Sequence, residues 1–245
     1  MEIRVHGPGQ EPAPLAVTMR TPGNDFELAV GFCFTEGLLA AVEDLDTVAY
    51  CLADGGEQEY NVVTVRLRHA VDLRGHERNF VANASCGLCG KRTLEQVEAV
   101  CAPVGPGPVV PWSVVTRLPP RLRAAQVVFG STGGLHAAAS FTAAGDLEAL
   151  REDVGRHNAL DKLVGHALLE RTLPLGDDVL LVSGRVSFEI VQKAAMAGIP
   201  IVCAVSAPSS LAVDAANRLG ITLVGFLREE RGNVYTNPDR IDLER

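Results

Sequence analysis

The sequence predicts an α/β protein: a mainly parallel sheet with flanking helices, preceded by a smaller β-rich N-terminal part. Three observations predict it. Short apolar runs and helical stretches alternate through the second half, the pattern of a layered sheet with crossover helices. The first third instead shows two-residue alternation with one helical stretch. Between them lies the Gly/Pro-rich run Val104-Gly105-Pro106-Gly107-Pro108, which reads as a connector. The expected division is residues 1–103, the β-rich part, and residues 109–245, the α/β part.

Each element has a local reason. Glu2-Ile3-Arg4-Val5 and Val63-Thr64-Val65-Arg66-Leu67 alternate with strand period. Thr21-Pro22-Gly23-Asn24-Asp25 is a turn and helix start, and Asn24 or Asp25 can cap a helix through Phe26, Ala29, Val30, Cys33 and Phe34 toward Leu39. Arg92 to Val100 reads as a helix. Leu160, Leu163, Val164 and Leu168 give another helical stripe. Val179-Leu180-Leu181-Val182 is continuously apolar, as a strand buried on both faces should be. A helix through Phe188, Val191, Ala194 and Ala195 stops at Gly198, and Pro200 to Val205 is the next strand. Ser209 or Ser210 starts a helix to Leu219 with Gly220 as its stop, followed by a strand from Ile221 to Phe226.

Composition narrows the function classes. The chain has 245 residues, 47% hydrophobic, with a formal net charge of −8 and a pI near 5.3. No long basic run argues for nucleic acid. Met1 to Pro14 lacks a basic-then-apolar leader pattern, and no uncharged apolar stretch reaches the roughly 18 residues a membrane span needs. The expectation is a cytoplasmic protein with its six cysteines mostly reduced. Cys33, Cys51 and Cys203 sit among apolar neighbours and read as small buried hydrophobes.

Six segments carry candidate chemistry. In Ser85-Cys86-Gly87-Leu88-Cys89-Gly90-Lys91, the sole Cys-x-x-Cys pair is flanked by glycines and followed by a cation and a helix start. Such surroundings lower a thiol's pKa and raise its thiolate fraction. The pair could bind a metal, shuttle electrons or carry sulfur. A structural zinc site wants four ligands, and there is no second pair and no His-x-x-x-His. A thioredoxin-like role wants the pair just after the first strand of a βαβ unit, which is not its place here. The second segment, Gly130-Ser131-Thr132-Gly133-Gly134-Leu135-His136, reads as a loop whose backbone N–H groups can cradle phosphate. The third, Glu152 to Lys162, is denser in charge than a helix cap requires and includes His157. Ser183-Gly184-Arg185-Val186-Ser187, Val205 to Ser210, and Phe226-Leu227-Arg228-Glu229-Glu230-Arg231 each follow a strand. They leave the same sheet edge, where α/β proteins place ligands. That convergence suggests a nucleotide-sized ligand.

These segments, in this order, resemble the FdhD family of formate dehydrogenase accessory sulfurtransferases. The match runs through Arg20-Thr21-Pro22-Gly23-Asn24-Asp25-Phe26-Glu27-Leu28-Ala29-Val30-Gly31-Phe32, the Cys86 to Cys89 motif, Thr132-Gly133-Gly134-Leu135-His136-Ala137-Ala138, Asp153 to Lys162, and Ser183-Gly184-Arg185. Family chains often carry extra residues ahead of where this one starts. The resemblance implies a cytidine deaminase-like α/β fold and a homodimer. It also implies a sulfur carrier that takes persulfide sulfur from a cysteine desulfurase. The recipient is the molybdenum bis-(molybdopterin guanine dinucleotide) cofactor, bound as substrate, which then activates formate dehydrogenase. On the family's motif Cys86 carries the persulfide and Cys89 assists. The carry-over places cofactor contacts at Phe226, Leu227, Arg228, Glu229, Glu230 and Arg231. Thr132, Gly133, Gly134, His136, His157, Ser183, Gly184 and Arg185 join them as candidates. Deaminase zinc ligands are His-x-Glu and Pro-Cys-x-x-Cys. No His-x-Glu occurs, and Ser85 precedes Cys86, so neither a metal nor deamination is expected. Two competing classes are a non-catalytic chaperone that only binds the molybdenum cofactor and a deaminase-like metalloenzyme.

Overall fold

The computed structural model describes residues 1–51, 60–73 and 101–244. Cys86, Cys89, Lys91 and the helix expected over Arg92 to Val100 lie outside the described residues. The N-terminal part forms a four-stranded sheet of β1 (Glu2–His6), β2 (Ala13–Val17), β3 (Leu45–Tyr50) and β4 (Val62–Leu67), in the order β2-β1-β4-β3. Ile3, Val5, Val63 and Val65 are buried on one face. Helix α1 (Asp25–Thr35) covers that face. Asn24 precedes it in the left-handed region at φ 57° and makes no side-chain cap.

The second half begins with β5 (Val110–Pro111), the short α2 (Trp112–Val115), α3 (Leu118–Ala125) and α4 (Val127–Thr132). The hairpin β6 (His136–Phe141) and β7 (Leu147–Asp153) precedes α5 (Arg156–Leu169). Then β8 (Val179–Val182), α6 (Phe188–Met196), β9 (Ile201–Ala204), α7 (Ser210–Arg218) and β10 (Thr222–Arg228) alternate. The chain ends in β11 (Arg231–Thr236) and β12 (Ile241–Asp242).

The main sheet has six strands in the order β11-β10-β9-β8-β6-β7. Only its centre, β8-β9-β10, is parallel. β6 pairs antiparallel with β8 and with β7, and β11 pairs antiparallel with β10. This corrects the expectation of a mainly parallel sheet. The physical reason is connection length: β6 to β7 and β10 to β11 are joined by turns too short for a crossover, and such turns make antiparallel hairpins. The central strands β8 and β9 are buried at every position, as their continuous apolar runs require.

One apolar core runs from Ile3 and Val65 through α1 and α5 to Val202 and Leu223. Its tightest point is the crossing of α1 and α5. Gly31 and Gly165 face each other there so closely that a Cβ at either position would stand 1.9 Å from a backbone carbonyl oxygen of the other helix. The Gly/Pro connector is anchored: Val104 N–H donates to Leu219 O at 3.0 Å, and Arg240 donates to Gly105 O at 2.8 Å. Cys33 and Cys203 are buried, and burial pushes the Cys203 thiol up to about 12. Cys51 is half-buried with its Sγ 2.8 Å from Thr64 Oγ1. Among the described residues no helix is long and apolar enough to cross a membrane.

Candidate functional site

Three loops leave the C-terminal ends of the parallel strands, and backbone hydrogen bonds knit them together. Val186 N–H donates to Ala207 O at 3.1 Å, Ser209 N–H to Val186 O at 2.9 Å, and Phe226 N–H to Ser206 O at 3.1 Å. Gly225 permits the last contact, since a Cβ there would meet Pro208 Cδ at 2.8 Å and Tyr235 Cε2 at 3.0 Å. The residue after it, Phe226, adopts φ 54° at a bulge in the β10–β11 ladder and is 44% exposed. A left-handed aromatic residue inside a strand is strained by about 1–3 kcal/mol and persists only where its surroundings enforce it.

The start of β6 is pinned to the same edge. Ala137 N–H donates to Ser183 Oγ at 2.8 Å, and Ser183 N–H to Ala137 O at 3.0 Å. Gly184 lets the His136 imidazole lie against its backbone: a Cβ at 184 would be 3.1 Å from His136 Nδ1 and 3.5 Å from Arg156 Cδ. Burial lowers the His136 pKa, and the positive charges of Arg156, His157 and Arg185 lower it further. His136 is therefore neutral at pH 7 and offers one ring donor and one ring acceptor. Beside it, His157 Nε2 lies 3.0 Å from Ser187 Oγ and 3.2 Å from Glu189 Oε2. Burial would raise the Glu189 pKa, but the His157 hydrogen bond and charge overcome it and hold that carboxylate below its ordinary value. Serine and carboxylate both face the same ring nitrogen, so this is not a relay triad, in which the two partners use opposite nitrogens.

Two cavities open at this edge. The first, about 620 Å³, is lined by Gly133, Gly134, Leu135, His136, Ser183, Val205, Leu227 and Arg228. Its outer wall is Pro119, Pro120, Leu122, Arg123, Gln126 and Phe129 of α3 and α4. The second, about 1020 Å³, is lined by Phe226, Arg228, Glu229, Glu230 and Arg231 together with Trp112 and Val234. Arg228 borders both. The fold thus brings Gly133, Gly134, His136, Ser183, Leu227 and Arg228 to one cavity from three separate stretches of sequence. Thr132, His157, Gly184 and Arg185 line neither cavity, and Arg185 is exposed.

Two segments differ from their expected form. Gly130 to Thr132 is the last turn of α4, not a loop, and Gly133 closes it at φ 68° with its N–H donating to Phe129 O at 2.8 Å. A helix C-terminus presents carbonyls and the negative end of the dipole, so this segment lacks the anion preference of a phosphate cradle. Its helix forms because Glu152, far away in sequence, accepts from Val128 N–H at 2.9 Å and Phe129 N–H at 2.8 Å. The charge-dense stretch from Glu152 to Lys162 is mostly internal. Asp153 and Lys162 pair at 2.8 Å and are fully buried. Asp153 also accepts from Thr21 N–H at 3.0 Å, Gly155 N–H at 2.9 Å and Asn158 Nδ2 at 3.0 Å. Lys162 donates to Thr21 O at 2.8 Å. The network ties the Arg20 to Asp25 turn to the base of the site. A second buried set joins Thr35, Asp161 and Lys193, with both Asp161 contacts at 2.8 Å. Burial works to lower the Lys193 pKa, and the Asp161 and Glu36 charges overcome it, so Lys193 stays protonated.

The α3 wall of the first cavity was not legible as a site. Pro119 and Pro120 in its first turn signal a helix start, but nothing local marks Arg123, which lies 4.1 Å over the Phe129 ring, or Gln126. Among the described residues no group of His, Cys, Asp and Glu is arranged to hold a metal.

The FdhD/NarQ family model matches residues 3–242. The chain belongs to the FdhD/NarQ family. Relatives named sulfur carrier protein FdhD include one from Streptomyces coelicolor, 53% identical over 99% of this chain and 87% of its own length. Another, from Mycolicibacterium paratuberculosis, is 52% identical over 98% of this chain and 89% of its own. One from Sulfurisphaera tokodaii is 45% identical over 92% and 84%. A crystal structure from Desulfotalea psychrophila, described as that of a formate dehydrogenase accessory protein, superposes with a TM-score of 0.74. Its sequence is 25% identical, and the match covers 99% of this chain and 89% of that one.

Proposed function

We propose that this FdhD/NarQ-family protein is a cytoplasmic sulfur carrier serving formate dehydrogenase. The observation that carries the reading is the convergence of Gly133-Gly134, Ser183 and Leu227-Arg228 on one cavity, in a chain that also holds a Gly-flanked Cys-x-x-Cys. The names of relatives at about half identity support it. The cavity and its neighbour hold the molybdenum bis-(molybdopterin guanine dinucleotide) cofactor as substrate. Arg228 and Arg231 meet its phosphates, because a guanidinium and a phosphate make short charge-assisted bonds. A homodimer and a cytidine deaminase-like sheet belong to the same proposal.

The chemistry is thiol exchange. A cysteine desulfurase presents a persulfide; the Cys86 thiolate attacks its outer sulfur, the old S–S bond breaks, and the desulfurase thiolate leaves. Cys86 then carries the S–SH group. Cys89 attacks the Cys86 Sγ, hydrosulfide leaves toward the bound cofactor, and the pair is left as a disulfide for a cellular dithiol to reduce. The apolar walls of Leu122, Phe129, Leu135 and Leu227 keep competing water away from the edge where the cofactor lies.

The test is direct. Incubation with a cysteine desulfurase and cysteine adds about 32 Da, one persulfide sulfur, to the peptide containing Cys86. The Cys86→Ala variant folds, gains no sulfur there and fails to activate the client dehydrogenase. Full activation by well-folded Cys86→Ala overturns the persulfide role.

A further inference from the structure

Gln126 has no role in the chemistry above and no packing reason to be polar. It joins α3 to α4, and its main chain is used in full. Its N–H donates to Leu122 O at 3.1 Å, and its carbonyl accepts from Gly130 N–H at 3.2 Å. The residue is 7% exposed and lines the 620 Å³ cavity. Its side-chain Nε2 is buried without a hydrogen-bond partner among the described residues. An unpaired buried amide N–H keeps an uncompensated desolvation cost, which an apolar side chain of similar shape avoids. A carboxamide held here at a loss is explained if something entering the cavity supplies the missing acceptor.

The rest of the cavity says what that is. Leu122, Phe129, Leu135 and Leu227 make apolar walls, and Arg123 and Arg228 also line it, the Arg123 guanidinium 4.1 Å over the Phe129 ring. Apolar walls with one placed hydrogen-bond donor and nearby cations suit a planar heterocycle joined to phosphate. The donor Nε2 calls for a ring carbonyl at the inner edge, and a ring N–H next to it can pair with the amide oxygen of the same side chain. We propose that Gln126 is the specificity-determining residue of this cavity, reading the carbonyl and N–H edge of a bound oxo-heterocycle. Guanine and pterin rings share that edge; adenine presents an amino donor in place of the carbonyl. The inference rests on the cofactor reading above and adds what selects the ligand.

Calorimetric titration of the full chain with GDP, IDP, ADP and hydroxymethylpterin tests it. GDP and IDP, which both carry the carbonyl, bind more tightly than ADP. Gln126→Leu weakens GDP and IDP about tenfold or more and leaves ADP unchanged. Its melting temperature does not fall, because an unsatisfied amide has been removed. Hydroxymethylpterin binding lost in parallel shows that Gln126 reads the edge the two rings share; GDP loss alone assigns the cavity to the guanine end. If wild type binds GDP and Gln126→Leu binds it equally well, or if wild type prefers ADP, the inference falls and the cofactor reading stands. If wild type binds neither guanine nucleotide nor pterin, both fall.

Discussion

Replacing Gly31 by Ala adds one methyl group at the α1–α5 crossing and should destabilise the whole molecule. Its Cβ would stand 1.9 Å from Asp161 O and 2.7 Å from Gly165 N. An ordinary contact begins near 3.4 Å, so the helices must part by 1.5 Å at that point. Both neighbours are backbone, and no side-chain rotation relieves them. Parting loosens Leu28, Val30, Leu160 and Val164, all fully buried, and strains the 2.8 Å contacts of Thr35 and Lys193 to Asp161. Overpacking a core costs about 1–3 kcal/mol, occasionally more, and a backbone clash belongs at the upper end. Ala in place of a mid-helix Gly returns about 1 kcal/mol of helix propensity, so the net loss is at least about 2 kcal/mol. For a chain of this size that corresponds to roughly 4–8 °C in melting temperature. Urea unfolding followed by circular dichroism measures it. Gly165→Ala should behave alike, since its Cβ would meet Glu27 O at 1.9 Å. The double variant should cost less than the sum, because the first separation makes room for the second. A Gly31→Ala protein as stable as wild type, or strict additivity, would refute the close crossing.

Two further predictions concern charge. Burial, with the nearby negative charge of Glu148, raises the Asp178 pKa from 3.8 to about 7. The native state thus holds this proton more tightly than the unfolded chain, and the stability it contributes, full below pH 4, is lost as pH rises toward 7. Asp178→Asn should therefore add about 1–2 kcal/mol at pH 8, after discounting for solvent screening, less at pH 5, and nothing at pH 3, where the carboxyl is protonated in both states; equal melting shifts at pH 3 and pH 8 would refute it. For phosphate contacts, Arg228→Ala should weaken GDP binding about tenfold or more. Arg185→Ala should cost less, because Arg228 borders both cavities and Arg185 borders neither. The reverse order in titration would move the phosphate site to the Arg185 side.

Much of the fold was readable because its signals are local. The apolar runs at Val179 to Val182 and Ile201 to Ala204 became buried strands. Gly198 and Gly220, at φ 75° and 70°, stop the helices before the next strands. Ser209 caps its helix by accepting from Ala212 N–H at 3.2 Å. Strand direction was not readable, because it depends on which edge a hairpin joins. The hairpins at β6–β7 and β10–β11 flank the parallel centre without altering its composition. Helix α4 escaped for another reason: its first N–H groups are satisfied by Glu152 from the neighbouring β7, a partner no window of sequence contains. The charges from Asp153 to Lys162 suggested a binding surface, whereas Asp153 and Lys162 pair with each other and with the Thr21 backbone, and Asp161 pairs with Lys193.

That last distinction separates scaffold from site. Asp153 and Lys162 have every strong partner they need, and Asp161 and Lys193 satisfy each other. Such groups are costly to leave alone once buried, so their pairing accounts for their presence without a ligand. At the sheet edge the balance differs. Phe226 is held in a strained backbone and is exposed despite being aromatic. Gln126 has a buried side-chain Nε2 with no hydrogen-bond partner among the described residues. Neither contributes to folding what an ordinary residue would, and both line cavities that share Arg228. Two departures from the stable choice that lie side by side at one sheet edge, next to a shared Arg228, are what the proposed ligand site would require.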